Sequence, residues 1–270
     1  MSMNIVVGTA TSRRVRWLMV ALGLAVWASA ASAELTVYYV RHGQGGHNIS
    51  ARYLWRYVPP SQWIFWAGKI GNPNVFTPMG AEQVAGLTTN LAAFEFDLIA
   101  VSPMWRARNT ILPYLKASGR SAEIWPELTE SNFPGDPFAS LTAQAESNLW
   151  AGVDDLQVPE EEQAYFHLRP DGTGRRRLAI NTPAEAGALA RRVEAMLGER
   201  FGTNDVRVLL VGHSYAGQAL LRKLIDDPAA EFKLLGNTYM WKVTRAPDGV
   251  FRVHYNDRSP AQAAAAEASR

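Results

Sequence analysis

Residues Leu35–Asn48 read L-T-V-Y-Y-V-R-H-G-Q-G-G-H-N, and no other stretch limits the fold as much. A near-continuous apolar run rich in β-branched and aromatic residues reads as a strand buried on both faces. It ends abruptly on an arginine, a histidine and a cluster of glycines, where strand gives way to loop. In an open α/β sheet, ligands sit beyond the carboxyl ends of the strands, which puts Arg41 and His42 where chemistry is done.

The rest of the chain builds a sheet around that strand. Asp97–Val101 and Ala122–Trp125 are short buried strands, and Val206–Val211 is a longer one. Thr77-Pro78 starts a helix as N-cap and first helical residue, with Val84, Leu87 and Leu91 at helical spacing. Ser102-Pro103 reads the same way for a helix running to about Lys116. Thr182-Pro-Ala-Glu185 is a capping box opening a helix to about Phe201, and another helix follows His213 to about Ile225. Thr238–Arg245 and Val250–Tyr255, joined through Pro247-Asp-Gly249, form a hairpin at the sheet edge.

Three segments stand apart from this alternation. Ile49–Phe76 is crowded with Tyr53, Trp55, Tyr57, Trp63, Phe65 and Trp66 around Pro59-Pro60. It reads as a helical hairpin packed on the core, as an aromatic wall facing substrate, or as both in different residues. Residues 126–181 are broken by prolines and glycines and form an insertion, either a lid over the strand ends or a solvated decoration. Residues 261–270 read as a frayed helix or disordered tail. The whole is expected to be a three-layer α/β/α domain spanning residues 34–260, with a mixed, mostly parallel sheet and a lid-like insertion.

Residues 1–33 are a different object. Arg13, Arg14 and Arg16 precede the apolar segment Trp17–Trp27, and Ala31-Ser32-Ala33 offers a small-x-small cleavage site before Glu34. That is the layout of a secretory signal peptide, and its apolar part is too short to span a bilayer comfortably. The expectation is an exported protein, periplasmic or secreted, with no stable membrane anchor after cleavage. The leader holds three arginines and no acid, so its removal turns the net charge from +2 to −1 and takes away the argument for a nucleic-acid partner. Without cysteine the chain has no disulfide, thiol nucleophile or thiolate metal site.

Three strands end on polar residues: Val40 on Arg41-His42, Val101 on Ser102-Pro103 with Arg106 one turn on, and Val211 on Gly212-His213. In a strand–helix alternation those ends share one rim, where two histidines and two arginines converge. Cations not paired with one another need an anion between them, and phosphate fits arginine forks.

Arg41-His42-Gly43-Gln44 with Asn48 resembles the signature of the histidine phosphatase superfamily, in its phosphoglycerate-mutase-like branch. Thr77-Pro78-Met79-Gly80-Ala-Glu-Gln83, Ser102-Pro103-Met104-Trp105-Arg106-Ala107 and Val211-Gly212-His213 resemble three further motifs of that family, in the same order. The resemblance implies His42 as a nucleophile that forms a phosphohistidine, and Arg41, Arg106 and His213 as holders of the phosphoryl oxygens. It makes Asn48 a polar contact in the same pocket and Glu130 the proton donor, with no cofactor or metal. The implied substrate is a small-molecule or a lipid- or sugar-linked phosphomonoester. Glu127 and Asp136 lie close enough to Glu130 to compete for the acid role, and the spacing from Ser102-Pro103 selects Arg106 over Arg108. His47 reads as a structural or pocket-lining neighbour, and His167 and His254 as solvated or hydrogen-bonded.

Other functions are conceivable. Gly212-His213-Ser214-Tyr215-Ala216-Gly217 after a buried strand looks like the nucleophile elbow of an α/β-hydrolase, with Ser214, Asp226 or Asp227, and His254 as a triad. Little chain follows Ser214 for such a fold, and Arg41, His42 and Arg106 would have no role in it. A non-catalytic phosphate-binding module and a phosphoglycerate mutase are the remaining alternatives; export argues against the mutase.

Overall fold

The computed structural model describes residues 34–130, 156–171, 173–174, 182–202, 204–226, 233–246 and 248–269. The leader, Asp136, Asp227 and much of the 126–181 insertion lie outside the described residues.

The opening strand, β1 (Leu35–Arg41), is an interior strand of the sheet. It pairs in parallel with β5 (Val206–Gly212) and antiparallel with β6 (Met240–Arg245). Beyond β5 lie β2 (Leu98–Val101), β3 (Ala122–Ile124) and β4 (Phe166–Leu168), all parallel, and β7 (Phe251–Arg258) closes the other edge antiparallel to β6. The seven strands run in the order β4-β3-β2-β5-β1-β6-β7.

Side chains alternate along β1 and β5 and feed two cores, as a strand covered on both faces requires. Tyr38, Val40, Leu209 and Val211 join α2 (Pro78–Leu91), α3 (Trp105–Ser118) and α6 (Pro260–Ala268) on one face. Val37, Tyr39, Val208 and Leu210 join α4 (Pro183–Phe201) and α5 (Ser214–Ile225) on the other. This is the expected three-layer arrangement.

Four local expectations change. β4 lies inside the segment read as irregular, because three residues with a polar His167 at the centre give no readable period. The last residues are a helix rather than a frayed or disordered tail: Ser259 caps α6, Ala263 is fully buried, and Glu267 bonds Lys242 and Tyr38. Ile49–Phe76 is not a helical hairpin on the main core. It consists of 3₁₀ turns at Ala51–Arg56 and Pro60–Gln62 and the short helix α1 (Trp63–Ala67), around a small core of Ile49, Val58 and Trp66. Finally, α3 begins at Trp105 with Met104 as N-cap, so Ser102 is not its cap.

Candidate active site

Strand register sets the site. Arg41 pairs with Gly212 across β1 and β5, and Val101 pairs with Val211 across β2 and β5. His42 and His213 therefore leave the sheet at one level, and Ser102, level with Gly212, leaves it one residue short of them. The His42 and His213 rings lie edge-on with centroids 5.1 Å apart, and His47 stands 5.3 Å from His42. The Ser102 hydroxyl bonds His213 Nε2 at 2.8 Å and accepts from the Met104 N–H. Arg106, in the first turn of α3, is buried and adds its charge to His42, His47 and His213.

The loop after β1 is held from several sides. Gly43 N–H donates to Thr110 Oγ1, and Gln44 N–H to Gln83 Oε1. Thr77 caps α2 by accepting from Gly80 N–H and also donates to Gln44 Oε1 at 2.8 Å. A Cβ on Gly80 would stand 2.0 Å from Gln44 O, so this approach of helix to loop requires glycine. On the other side, Asn237 Nδ2 donates to His42 O at 3.0 Å and to Asn48 Oδ1, while Thr238 N–H donates to Arg41 O at 3.1 Å. Thr238 sits at φ 62°, a strained conformation for a β-branched residue.

The electrostatics follow from burial. His42 Nδ1 lies 2.7 Å from Gly43 O, and a carbonyl only accepts, so Nδ1 carries the proton and Nε2 the lone pair. Burial first, then Arg106, His213, His47 and Arg41, hold the His42 pKa well below its ordinary 6.5. Burial followed by Arg106 does the same for His47 and His213. Burial also lowers Arg41, whose Nη1 donates to Leu235 O at 2.6 Å. His213 Nδ1 has no hydrogen-bond partner among the described residues. The result is a buried cationic nest with neutral imidazoles, a setting that favours an anion and a nucleophilic nitrogen. Among the described residues no three His, Asp or Glu side chains gather as metal ligands.

The profile of the histidine phosphatase superfamily (branch 1) matches residues 37–258. The chain belongs to that superfamily. Solved structures share its fold: a mycobacterial glucosyl-3-phosphoglycerate phosphatase (17% identity, 83% of this chain and 100% of that one, TM-score 0.51) and a putative alpha-ribazole-5'-P phosphatase from Escherichia coli (18% identity, 83% and 98%, TM-score 0.51). The alpha-ribazole phosphatase of Shigella flexneri is similar at 18% identity, covering 83% of this chain and 96% of that one, with a TM-score of 0.51. Among curated proteins no sequence match emerges.

Within this histidine phosphatase fold the candidate acids separate. Glu130 Oε2 accepts from the Tyr215 N–H at 3.4 Å, at the first turn of α5, and its charge acts on both Arg41 and Tyr39. Glu127 is buried and held by Arg169 in a two-pronged bond of 2.7 and 3.1 Å, so it is not available as an acid. Arg108 is likewise committed, to both oxygens of Glu162 and to Pro103 O.

Among the described residues, which leave out Asp227, the hydrolase triad does not assemble. Ser214 Oγ reaches Leu235 O, Asp226 caps the opposite end of α5, and His254 Nε2 bonds Thr244 Oγ1 on β6. Sequence reading had not assigned Asn237, Thr238 or the hold of Ser102 on His213.

Proposed function

We propose that this protein is an exported phosphatase that hydrolyses phosphomonoesters through a phosphohistidine on His42. The carrying observation is the β1–β5 register, which sets a neutral His42 against His213 within the field of Arg41 and Arg106. The phosphoryl oxygens take hydrogen bonds from Arg41, Arg106 and His213. Asn48, whose Oδ1 is occupied by Gly45 N–H, offers its amide donor.

His42 Nε2 attacks phosphorus, the P–O bond breaks, and protonated Glu130 gives its proton to the leaving oxygen. Glu130 then takes a proton from water, whose oxygen attacks phosphorus as the P–N bond breaks and inorganic phosphate leaves. The structural neighbours bear the names of phosphatases acting on glucosyl-3-phosphoglycerate and alpha-ribazole-5'-P, which agrees with this reaction class.

A panel of phosphomonoesters on residues 34–270 tests the reading beside two variants. His42→Ala should lose turnover by at least about 10⁴-fold, whereas Ser214→Ala should retain most of it. Loss in Ser214→Ala with retention in His42→Ala would sink the reading. Export predicts that protein recovered from the periplasm of a Gram-negative host begins at Glu34; a chain still beginning at Met1 speaks against it.

A further inference from the structure

Segment 49–76 leaves the catalytic loop and returns to it. It begins directly after Asn48 and closes where Phe76 bridges Gly45, with Gly46 N–H on Val75 O and Gly71 N–H on Gly46 O. Its own core takes Ile49, Val58 and Trp66. Leu54, Tyr57, Ile70 and Val75 pack against that core, whereas Trp55 is 60%, Phe65 63% and Ile64 96% exposed, with Tyr53 and Trp63 each above 40%. Burial in the core does not account for them, and several large apolar side chains exposed on one short segment mark an interaction site.

The charges of the segment itself are of one sign. Segment 49–76 holds Arg52, Arg56 and Lys69 and not one acid, so it carries +3 while the rest of residues 34–270 carries −4. The cations lie on the aromatic rings: Arg56 over Tyr53 and Trp55, and Lys69 over Phe65 at 3.2 Å. Tryptophan and tyrosine beside lysine and arginine, around one or two fully exposed aliphatic and aromatic tips, make up the composition that settles at the headgroup level of a bilayer. A protein partner with an apolar groove would match the aromatics but gives no reason for the total absence of acids. An anionic lipid surface gives one, since each basic residue near it is attracted and each acid repelled. Among the described residues no helix is long and apolar enough to cross a membrane.

We propose that the aromatic and basic face of Ala51–Lys69 docks this protein on an anionic phospholipid bilayer, with Trp55, Ile64 and Phe65 inserted at the headgroup level and Arg52, Arg56 and Lys69 on lipid phosphates. Because both ends of the segment are bonded to the loop that carries His42, docking holds the candidate active site at the lipid surface. The docking does not depend on the phosphatase reading.

Sedimentation with phosphatidylcholine vesicles containing phosphatidylglycerol, against vesicles of phosphatidylcholine alone, tests it. It is run on the full chain and on residues 34–270, which contain the whole sheet, so that the apolar leader cannot supply the binding. Both forms should sediment with the anionic vesicles and be released by salt. In residues 34–270 the triple substitution Trp55→Ala, Ile64→Ala, Phe65→Ala should weaken binding at least about tenfold, and Arg52→Gln with Arg56→Gln by about fivefold per charge. Turnover of soluble p-nitrophenyl phosphate, measured in parallel, should persist in both variants and reports their folding.

No binding of residues 34–270 to anionic vesicles, equal binding to neutral ones, or binding that survives the triple substitution would overturn the proposal. So would a dimer of residues 34–270 that the triple substitution dissociates. Absence of turnover with vesicle binding intact would instead count against the phosphatase reading alone.

Discussion

Ser102 illustrates how much of this site rests on groups that touch no substrate. Its hydroxyl accepts from Met104 N–H and shares a hydrogen bond with His213 Nε2, and so fixes the ring with Nδ1 left without a partner among the described residues. Ser102→Ala removes the partner of a buried nitrogen, at a cost of about 1–3 kcal/mol. The expected result is a fall in kcat/KM of about 5- to 150-fold, partly rescued by Ser102→Thr; unchanged kinetics would remove Ser102 from the positioning of His213. Arg41, His42, Arg106 and His213 were legible in the sequence because each stands within a few residues of a buried strand that ends in plain view. Ser102 and Asn237 were visible as residues but not as partners, since their bonds to His213 and His42 span 111 and 195 positions. The strain at Thr238 had no sequence signal, because nothing in a Thr-Tyr pair demands a positive φ.

At the scale of elements, β1, β2, β3 and β5 and the N-caps of α2 and α4 were legible because they follow from short-range chemistry, whereas the cap of α6 at Ser259 is of the same kind but was not read ahead of the segment taken as a frayed or disordered tail. Thr77, Thr182 and Ser259 each accept from a backbone N–H three residues on. The aromatic segment and β4 did not follow, because their packing depends on what lies beside them. β4 matters to the site despite its three residues. Arg169 follows it directly and binds Glu127, and Glu127 lies three residues before Glu130. Both partners are almost wholly buried, and the only other cation on Glu127 among the described residues is the largely exposed Arg192 at 3.6 Å, so Arg169→Met leaves the carboxylate poorly compensated and should cost about 3 kcal/mol in urea unfolding. The double variant Glu127→Met, Arg169→Met should recover most of that stability. If the single variant unfolds like the wild type, this pair does not anchor the turn that carries Glu130.

The molecule as a whole concentrates its buried imidazoles at one rim, and that gives its stability a pH dependence. His42, His47 and His213 are held well below 6.5 in the folded state, primarily by burial. Below pH 6.5 the unfolded chain takes up protons that the folded site refuses, so stability is complete above that pH and declines as pH falls. The decline is at most about 1.4 kcal/mol per pH unit for each histidine. Tm should therefore drop between pH 7 and pH 5, and less steeply in His47→Asn, which removes one of the three groups. A Tm that is flat over this range, or a His47→Asn profile as steep as the wild type, would show that the cluster does not govern acid stability.

The most direct measurement is the site of phosphorylation itself. Residues 34–270 mixed with a turned-over phosphomonoester and quenched in alkali should carry acid-labile phosphate on the peptide that contains His42, and His42→Ala should carry none. Turnover with the phosphate found on Ser214 or His213, or with an unlabelled His42 peptide at every quench time, would contradict the phosphohistidine mechanism.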